Sequence, residues 1–141
     1  MSEENLQIVR ASIDGHNAVM RGELSSEAYV EAFDPQIELQ WHDQRTYPDT
    51  PQRLRGAAEV ITFTEQYRGG WVDVVLEALE LIEAPAGRVL AFLRQSGRGR
   101  ESGVPIVIHF FEVCTIRSGK LRHIEYFRHR ADAMEAAGLR E

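Results

Sequence analysis

The amino-acid sequence predicts an α+β fold, with helices first and a sheet of hairpin-linked antiparallel strands after them. Apolar residues recur at helical spacing over residues 4–22 and alternate strictly over residues 37–43, and residues 104–117 are almost all β-branched, aromatic or otherwise apolar. At 141 residues the chain is long enough for one core and too short for two domains of ordinary size. We therefore predict a single domain over residues 1–141.

Four helices are placed by apolar spacing and by the residues at which helices begin and end. Residues 4–22 carry an apolar stripe with helical spacing, which predicts an amphipathic helix. A short second helix is predicted for residues 25–33, because serines suited to N-capping open it and an Asp-Pro pair follows it. Residues 56–68 and residues 131–138 resume helical patterns, and glycines end both.

The strands are placed by alternation and by turn residues. Residues 37–43 alternate between apolar and polar side chains, which predicts a half-buried strand. Residues 88–96, 104–117 and 120–128 are further strands with glycine-containing turns between them. Residues 44–55 contain prolines and few apolar side chains, so they are predicted to form a loop.

Residues 72–83 have an ambiguous pattern. Val72, Val75, Leu76 and Leu79 fall at helical spacing, and the Leu, Glu and Ala content of the segment also favours a helix. The local pattern alone therefore predicts a helix here.

Composition excludes several classes of function. Sixteen Lys and Arg against 22 Asp and Glu give 16 − 22 = −6, a charge that disfavours nucleic acids and anionic membranes as partners. The single cysteine, Cys114, excludes an internal disulfide framework and a cysteine-cluster metal site. The N-terminus lacks the apolar core of a signal peptide, and no window approaches the ~18 apolar residues of a membrane span. We therefore expect a cytoplasmic protein.

Five segments occur in an order that resembles a known group of proteins. They are 33–43 (FDPQIELQWHD), 54–56 (LRG, opening a helix), 102–105 (SGVP), 118–121 (SGKL) and 130–139 (RADAMEAAGL). The match covers essentially the whole chain in order, and this collinear set resembles the SnoaL-like branch of the nuclear transport factor 2-like (NTF2-like) superfamily.

The resemblance implies a cone-shaped fold. In this fold a strongly curved antiparallel sheet wraps around three N-terminal helices, a short C-terminal helix follows, and a pocket opens at the mouth of the cone. The resemblance also implies that residues 72–83 form a strand, and we follow it because tertiary context often overrides local propensity. It further implies a homodimer formed through the outer face of the sheet. Relatives include ketosteroid isomerases, polyketide cyclases and epoxide hydrolases, so the fold does not define the reaction.

Asp43 is the first predicted catalytic residue. It shares the parity of Trp41, so it continues the inward face of the first strand, where an apolar setting would raise its proton affinity. By position it resembles the general-base aspartate of ketosteroid isomerases. The alternative is a strand-end residue that fixes the following turn.

His109 is the second predicted catalytic residue. It lies within an apolar strand and is predicted to face inward with Phe111 and Val113. By position it resembles the isomerase residue that donates a hydrogen bond to a forming enolate. The alternative is a structural histidine in the core or at a dimer face.

A set of aromatic and polar side chains is predicted to bind the substrate. Tyr47 lies on the loop expected to cap the pocket, and the isomerase tyrosine of the first helix is missing around His16, so His16 or Asn17 is the donor available there. Steroid isomerisation is therefore not expected. For the aromatic residues the alternative is core packing. The predicted substrate-binding residues are Trp41, Tyr47, Phe33, Tyr126 and His16.

Other polar residues of the sheet are assigned to its outer face. Glu112, Glu125 and His123 have the parity opposite to His109, and His42 is also predicted to point outward. A metal site built from His42, His109 and Glu112 would need side chains from both faces, so no metal is expected.

Two functions follow from these predictions. The first is a cofactor-free isomerase, cyclase or hydrolase that acts by acid–base catalysis on a small hydrophobic carbonyl or epoxide compound. The second is a non-catalytic homodimer that binds a small ligand in the same pocket.

Overall fold

The computed structural model describes residues 2–42 and 52–140, which form one curved sheet and four helices. In chain order the elements are α1 (Ser2–Met20), α2 (Ser26–Val30), β1 (Phe33–Trp41), β2 (Arg53–Arg55), α3 (Ala57–Gly70), β3 (Trp71–Ala84), β4 (Arg88–Gly99), β5 (Pro105–Arg117), β6 (Lys120–Phe127) and α4 (Arg130–Ala137). The α+β prediction is confirmed.

The six strands form a single sheet in the order β2-β1-β6-β5-β4-β3. Only β1 and β6 are parallel, and every other neighbouring pair is antiparallel. The sheet is curved and does not close. It wraps around the N-terminal helices, as the resemblance predicted.

Residues 72–83 lie within strand β3, so the resemblance was right and the helix favoured by the local pattern was wrong. The strand pairs with β4 but shifts register between Val72 and Val75 and again between Ala78 and Glu80. Each β-bulge inserts one extra residue and reverses which face the following side chains occupy. The two bulges interrupt the alternation, and Val75 and Leu79 are apolar although they are exposed, so the apolar residues of β3 fall at spacings that imitate a helix.

Strand β1 follows its predicted alternation. Ile37, Leu39 and Trp41 are all buried against the helices. The loop prediction for residues 44–55 is wrong at its end, because Arg53–Arg55 forms strand β2, in which Leu54 pairs with Leu39. A three-residue strand is too short to show a period in the sequence. Residues 44–51 of that predicted loop, together with Asp43, lie outside the described residues.

The sheet buries apolar side chains on both of its faces. The inner face packs on α1, α2 and α3 and forms the larger core. On the outer face, the convex side of the sheet, α4 contributes Ala133 and Met134, which cluster with Phe111, Val113 and Phe127. The middle of β5 is therefore covered on both sides, and its sequence is apolar at nearly every position.

Helix α1 is fixed to strand β3 by a paired hydrogen bond. The side-chain amide of Asn17 donates to the carbonyl oxygen of Leu76 (2.9 Å), and the backbone N–H of Leu76 donates to Asn17 Oδ1 (2.8 Å). This link holds the neighbouring His16 over the inner face of the sheet. Among the described residues, no helix has the length and apolar character needed to cross a bilayer.

Candidate functional site

A cavity of about 100 Å³ lies between the inner face of the sheet and helices α1, α2 and α3. Its lining is mostly apolar and aromatic, with a few polar groups from the helices and from β4, β5 and β6, as is usual for small-molecule sites. The lining residues are Ser12, Ile13, His16, Met20, Tyr29, Phe33, Leu39, Trp41, Val60, Phe63, Thr64, Tyr67, Leu76, Gln95, Phe110, Glu112, Ile124 and Tyr126.

Glu112 places a carboxyl group on the wall of this cavity. Its residue is 7% exposed, and its neighbour across the β4 ladder is Ala91, which is fully buried. The thiol of Cys114, two residues along the same face, donates to Glu112 Oε1 at 3.6 Å. Burial raises the pKa of Glu112 to about 7, since an apolar environment disfavours the charged form. The group can therefore give or take a proton near neutral pH.

His16 faces the same cavity from helix α1. Burial lowers the pKa of His16 to about 4, so its imidazole is neutral at physiological pH. Its Nδ1 atom is buried and has no hydrogen-bond partner among the described residues. The ring lies 6.3 Å from that of Tyr29, whose pKa is raised first by burial and then by Glu112 and Cys114. His16 therefore supplies a neutral polar atom that a ligand could contact.

Aromatic rings form one side of the cavity. Trp41 stacks on Tyr126 with ring centres 4.6 Å apart, and it contacts Phe63 at 5.4 Å. At another part of the lining, the amide of Gln95 donates to the hydroxyl of Tyr67, whose pKa burial raises to about 12. The Tyr67 hydroxyl accepts this bond, so its own proton remains available to a ligand.

The structure brings four of the predicted substrate-binding residues to the cavity. Trp41, Phe33, Tyr126 and His16 all contribute to its lining, although their contact with a ligand remains a prediction. Tyr47 lies outside the described residues, as does the predicted catalytic residue Asp43.

The prediction that His109 faces inward is wrong. His109 is exposed on the outer face, 6.0 Å from the ring of Phe92, and does not line the cavity. The inward positions of β5 are instead Phe110, Glu112 and Cys114. Since β5 is apolar on both faces, alternation of polarity could not reveal its parity.

Glu112 is the residue that the sequence prediction misplaced, because its assignment to the outer face followed from the wrong parity of β5. A signal was present: Glu112 is the only carboxylate in the 13-residue strand β5. A lone acid in an apolar strand needs a specific setting, since burial of an unpaired charge is costly. The assignments of Glu125 and His42 were right, and on the outer face His42 Nε2 lies 3.0 Å from Glu125 Oε1.

The described part of the chain shows no group of three or more His, Cys, Asp or Glu side chains that could hold a metal ion. The reactive group that the described lining offers is a carboxyl group in a mostly apolar, aromatic-walled cavity.

This fold and cavity define the chain as having the NTF2-like fold. An NTF2-like protein of unknown function from Burkholderia pseudomallei matches with a TM-score of 0.71 at 21% identity, over 97% of this chain and 98% of that chain. A proposed SnoaL-like polyketide cyclase from Jannaschia matches with a TM-score of 0.73 at 16% identity, over 100% and 96%.

A third structure of the same fold is that of TerC co-crystallised with polyporic acid, which matches with a TM-score of 0.71 at 18% identity, over 96% of this chain and 98% of that chain. No family model matches the sequence, and no curated protein sequence matches it. At these identities the similarity establishes the fold, and the chemistry has to be argued from the cavity.

Proposed function

We propose that the chain binds a small, mostly apolar molecule in the cavity and that Glu112 transfers a proton to or from it. One observation carries this proposal: among the described residues, Glu112 is the one that brings a buried carboxyl group to a mostly apolar and aromatic cavity wall. Such a group combines exclusion of water with a proton affinity near neutral, which suits general acid–base catalysis. TerC, which has the same fold, was co-crystallised with polyporic acid, so the fold is compatible with ligand binding.

The size of the cavity limits the molecule that it can enclose. An apolar cavity of ~150 Å³ is known to hold benzene, so about 100 Å³ suits a group no larger than a small ring. A four-ring steroid is far larger than this. We propose that the enclosed part of the substrate is a compact apolar body that carries a small carbonyl or epoxide group.

Exchange of hydrogen for deuterium next to a ketone tests this proposal without requiring the natural substrate. In D₂O a base that acts on bound cyclopentanone accelerates loss of its α-hydrogens, which NMR follows directly. We expect the protein to accelerate exchange and Glu112→Gln to reduce that acceleration by about 10²–10⁴. Glu125→Gln, on the outer face, is the matched control and should exchange like the unmodified protein. Full activity of Glu112→Gln would contradict the assignment.

Asp43 remains the predicted proton acceptor from the sequence. The same exchange assay separates the two carboxylates: if Asp43 accepts the proton, Asp43→Asn abolishes exchange while the protein stays folded. Two essential carboxylates would indicate that one acts as base and the other as acid. Unchanged exchange in Asp43→Asn would leave Glu112 as the acid–base group and remove Asp43 from the mechanism.

The second candidate function is ligand binding without catalysis. In favour of it, the side chain that the described residues bring to Glu112 as a hydrogen-bond donor is the Cys114 thiol, a weak donor, and the pKa of His16, which lines the same cavity, is lowered to about 4. A carboxyl group paired with a weak donor is weaker support for catalysis than a coupled acid–base pair. Binding of cyclopentanone without any exchange would favour this second function.

We further propose that the protein forms a homodimer through the outer face of the sheet. Val75 and Val107, which are 52% and 50% exposed, lie on this face on either side of Ser96 in the strand register. Exposed His109 lies nearby, two residues along β5 from Val107. Sedimentation should show a dimer that Val75→Asp with Val107→Asp converts to a monomer. A monomeric unmodified protein would contradict this proposal.

A further inference from the structure

We propose that the molecule bound in the cavity carries a positive charge on a compact apolar group, such as a trimethylammonium, held between Glu112 and the Trp41–Tyr126 ring pair. This inference rests on the proposed function, in which the cavity binds a small apolar molecule, and it adds the charge of that molecule. It depends on the arrangement of the side chains across the inner face of the sheet.

Three neighbouring strands bring the carboxyl group and the rings together. In the strand register Trp41 of β1 is opposite Tyr126 of β6, and Tyr126 is opposite Glu112 of β5. Adjacent strands lie about 4.8 Å apart, so these side chains are immediate neighbours on one face. Ala91, opposite Glu112 on the other side, is too small to cover the carboxyl group. A cation beside the rings therefore lies within reach of Glu112 as well.

The chemistry of the lining favours a cation over an anion. Among the described lining residues, seven are Phe, Tyr or Trp, and Glu112 is the only one with a carboxyl group. Among the described residues that line the cavity there is no Lys or Arg. Aromatic faces attract a desolvated cation within about 6 Å of the ring centre, and ammonium groups bearing methyl groups are characteristic ligands of such walls.

A bound cation would also supply a positive counter-charge to the carboxyl group of Glu112. A buried carboxylate without a counter-charge is unfavourable. The described lining of the cavity contains no Lys or Arg, and the thiol that donates to Glu112 is a weak donor. An ammonium ion in the cavity would stabilise the ionised form of the carboxyl group. The net charge of −6 acts in the same direction, because it raises the local concentration of cations around the protein.

The α1 side of the cavity, where His16 lies, does not repel a positively charged ligand. His16 is neutral above its lowered pKa of about 4, so it does not repel a cation. Its buried Nδ1 atom, which has no hydrogen-bond partner in the described part of the chain, is available to a hydroxyl or similar group on the ligand. A small ammonium alcohol therefore matches both walls.

The pH dependence of binding is a specific consequence. The titratable side chains described around Glu112 are Cys114 on its own strand, its cross-strand neighbour Tyr126 on β6, and Tyr29 on α2, Tyr67 on α3 and His16 on α1, which line the same cavity. Burial raises the pKa of Cys114 and Tyr29 and lowers that of His16 to about 4, which leaves Glu112 to titrate near neutral pH. Affinity for a cation should therefore rise by up to about tenfold per pH unit below pH 7 and level off above it.

Choline and 3,3-dimethylbutan-1-ol test the proposal, because they have the same shape and differ only in whether the central atom is charged nitrogen or neutral carbon. Calorimetry at about pH 8, one unit above the pKa of Glu112, should show choline bound at least about tenfold more tightly than the alcohol. Glu112→Gln should remove this preference while still binding the alcohol. Glu125→Gln should keep the preference, and circular dichroism confirms that each variant is folded.

Each result has a distinct meaning. A preference for choline that rises with pH and disappears in Glu112→Gln supports the proposal. Equal binding of the two molecules, or a preference that survives in Glu112→Gln, overturns it. If neither molecule binds, this proposal is also overturned, and exchange of cyclopentanone then shows separately whether the proposed function survives.

Discussion

The buried carboxyl group of Glu112 should make folding stability depend on pH in a direction opposite to that of most carboxylates. Its pKa is about 7 in the folded protein against 4.5 for the unperturbed group. Between these pH values the native state keeps a proton that the unfolded chain releases, so the free energy of unfolding falls as pH rises. The difference of 2.5 units corresponds to on the order of 3 kcal/mol, fully lost above pH 7.

His16 changes folding stability with pH in the direction opposite to Glu112, over almost the same pH range. Its pKa is about 4 in the folded protein against 6.5 for the unperturbed imidazole. Between these pH values the imidazole is protonated in the unfolded chain and neutral in the native state. Stability from this group is therefore lost as pH falls from 6.5 to 4, again by on the order of 3 kcal/mol. In the unmodified protein the two contributions nearly cancel.

Single substitutions should separate the two contributions. Glu112→Gln removes the contribution of Glu112 and leaves that of His16. Between pH 4.5 and pH 7 the free energy of unfolding of this variant should therefore rise by about 3 kcal/mol more than that of the unmodified protein. His16→Gln should show the opposite slope. Urea denaturation at a series of pH values measures both, and a constant offset caused by the substitution does not alter the slope. Identical pH profiles for all three proteins would refute the reasoning.

Two further predictions concern the stability of the fold around the cavity and at the turn between β3 and β4. Asn17→Ala removes both hydrogen bonds to the Leu76 backbone and should lower the free energy of unfolding by about 2 kcal/mol, and an unchanged urea midpoint would show that the pair is not needed. Gly87→Ala should destabilise by roughly 1–3 kcal/mol, because φ is +72° and the added Cβ would lie 2.8 Å from the carbonyl oxygen of Ile116. Gly119→Ala, with φ +78° and open space around it, is the control and should have the smaller effect on the melting temperature.

The sequence predicted the fold well where one face of an element is buried. Strand β1 alternates because only its inner face meets the core, and its inward residues Ile37, Leu39 and Trp41 were predicted correctly. In β3 the two β-bulges change the period, so the resemblance to SnoaL-like proteins was needed to identify a strand. The positions of the bulges depend on how β3 pairs with β4, and the local sequence of β3 carries no information about that pairing.

The site was predicted less completely, for a related reason. Aromatic residues near the end of β1 lead to the cavity, and Trp41 indeed lines it. The acid–base group was misplaced because α4 covers the outer face of β5 and makes Phe111 and Val113 as buried as the inward residues. The tertiary structure, in which α4 packs on Phe111 and Val113 and the cavity lies on the opposite face, shows that Glu112 and not His109 faces the cavity.

A carboxyl ¹³C NMR titration of glutamate-labelled protein tests the central claim most directly. The signal of Glu112 is assigned by its loss in Glu112→Gln, and its chemical shift reports the protonation of that one group. A midpoint near pH 7 is the predicted result, because the group is buried in the wall of an apolar cavity. A midpoint near the ordinary value of 4.5 would mean that water reaches the carboxyl group, and it would contradict both the stability prediction and the proposed acid–base role.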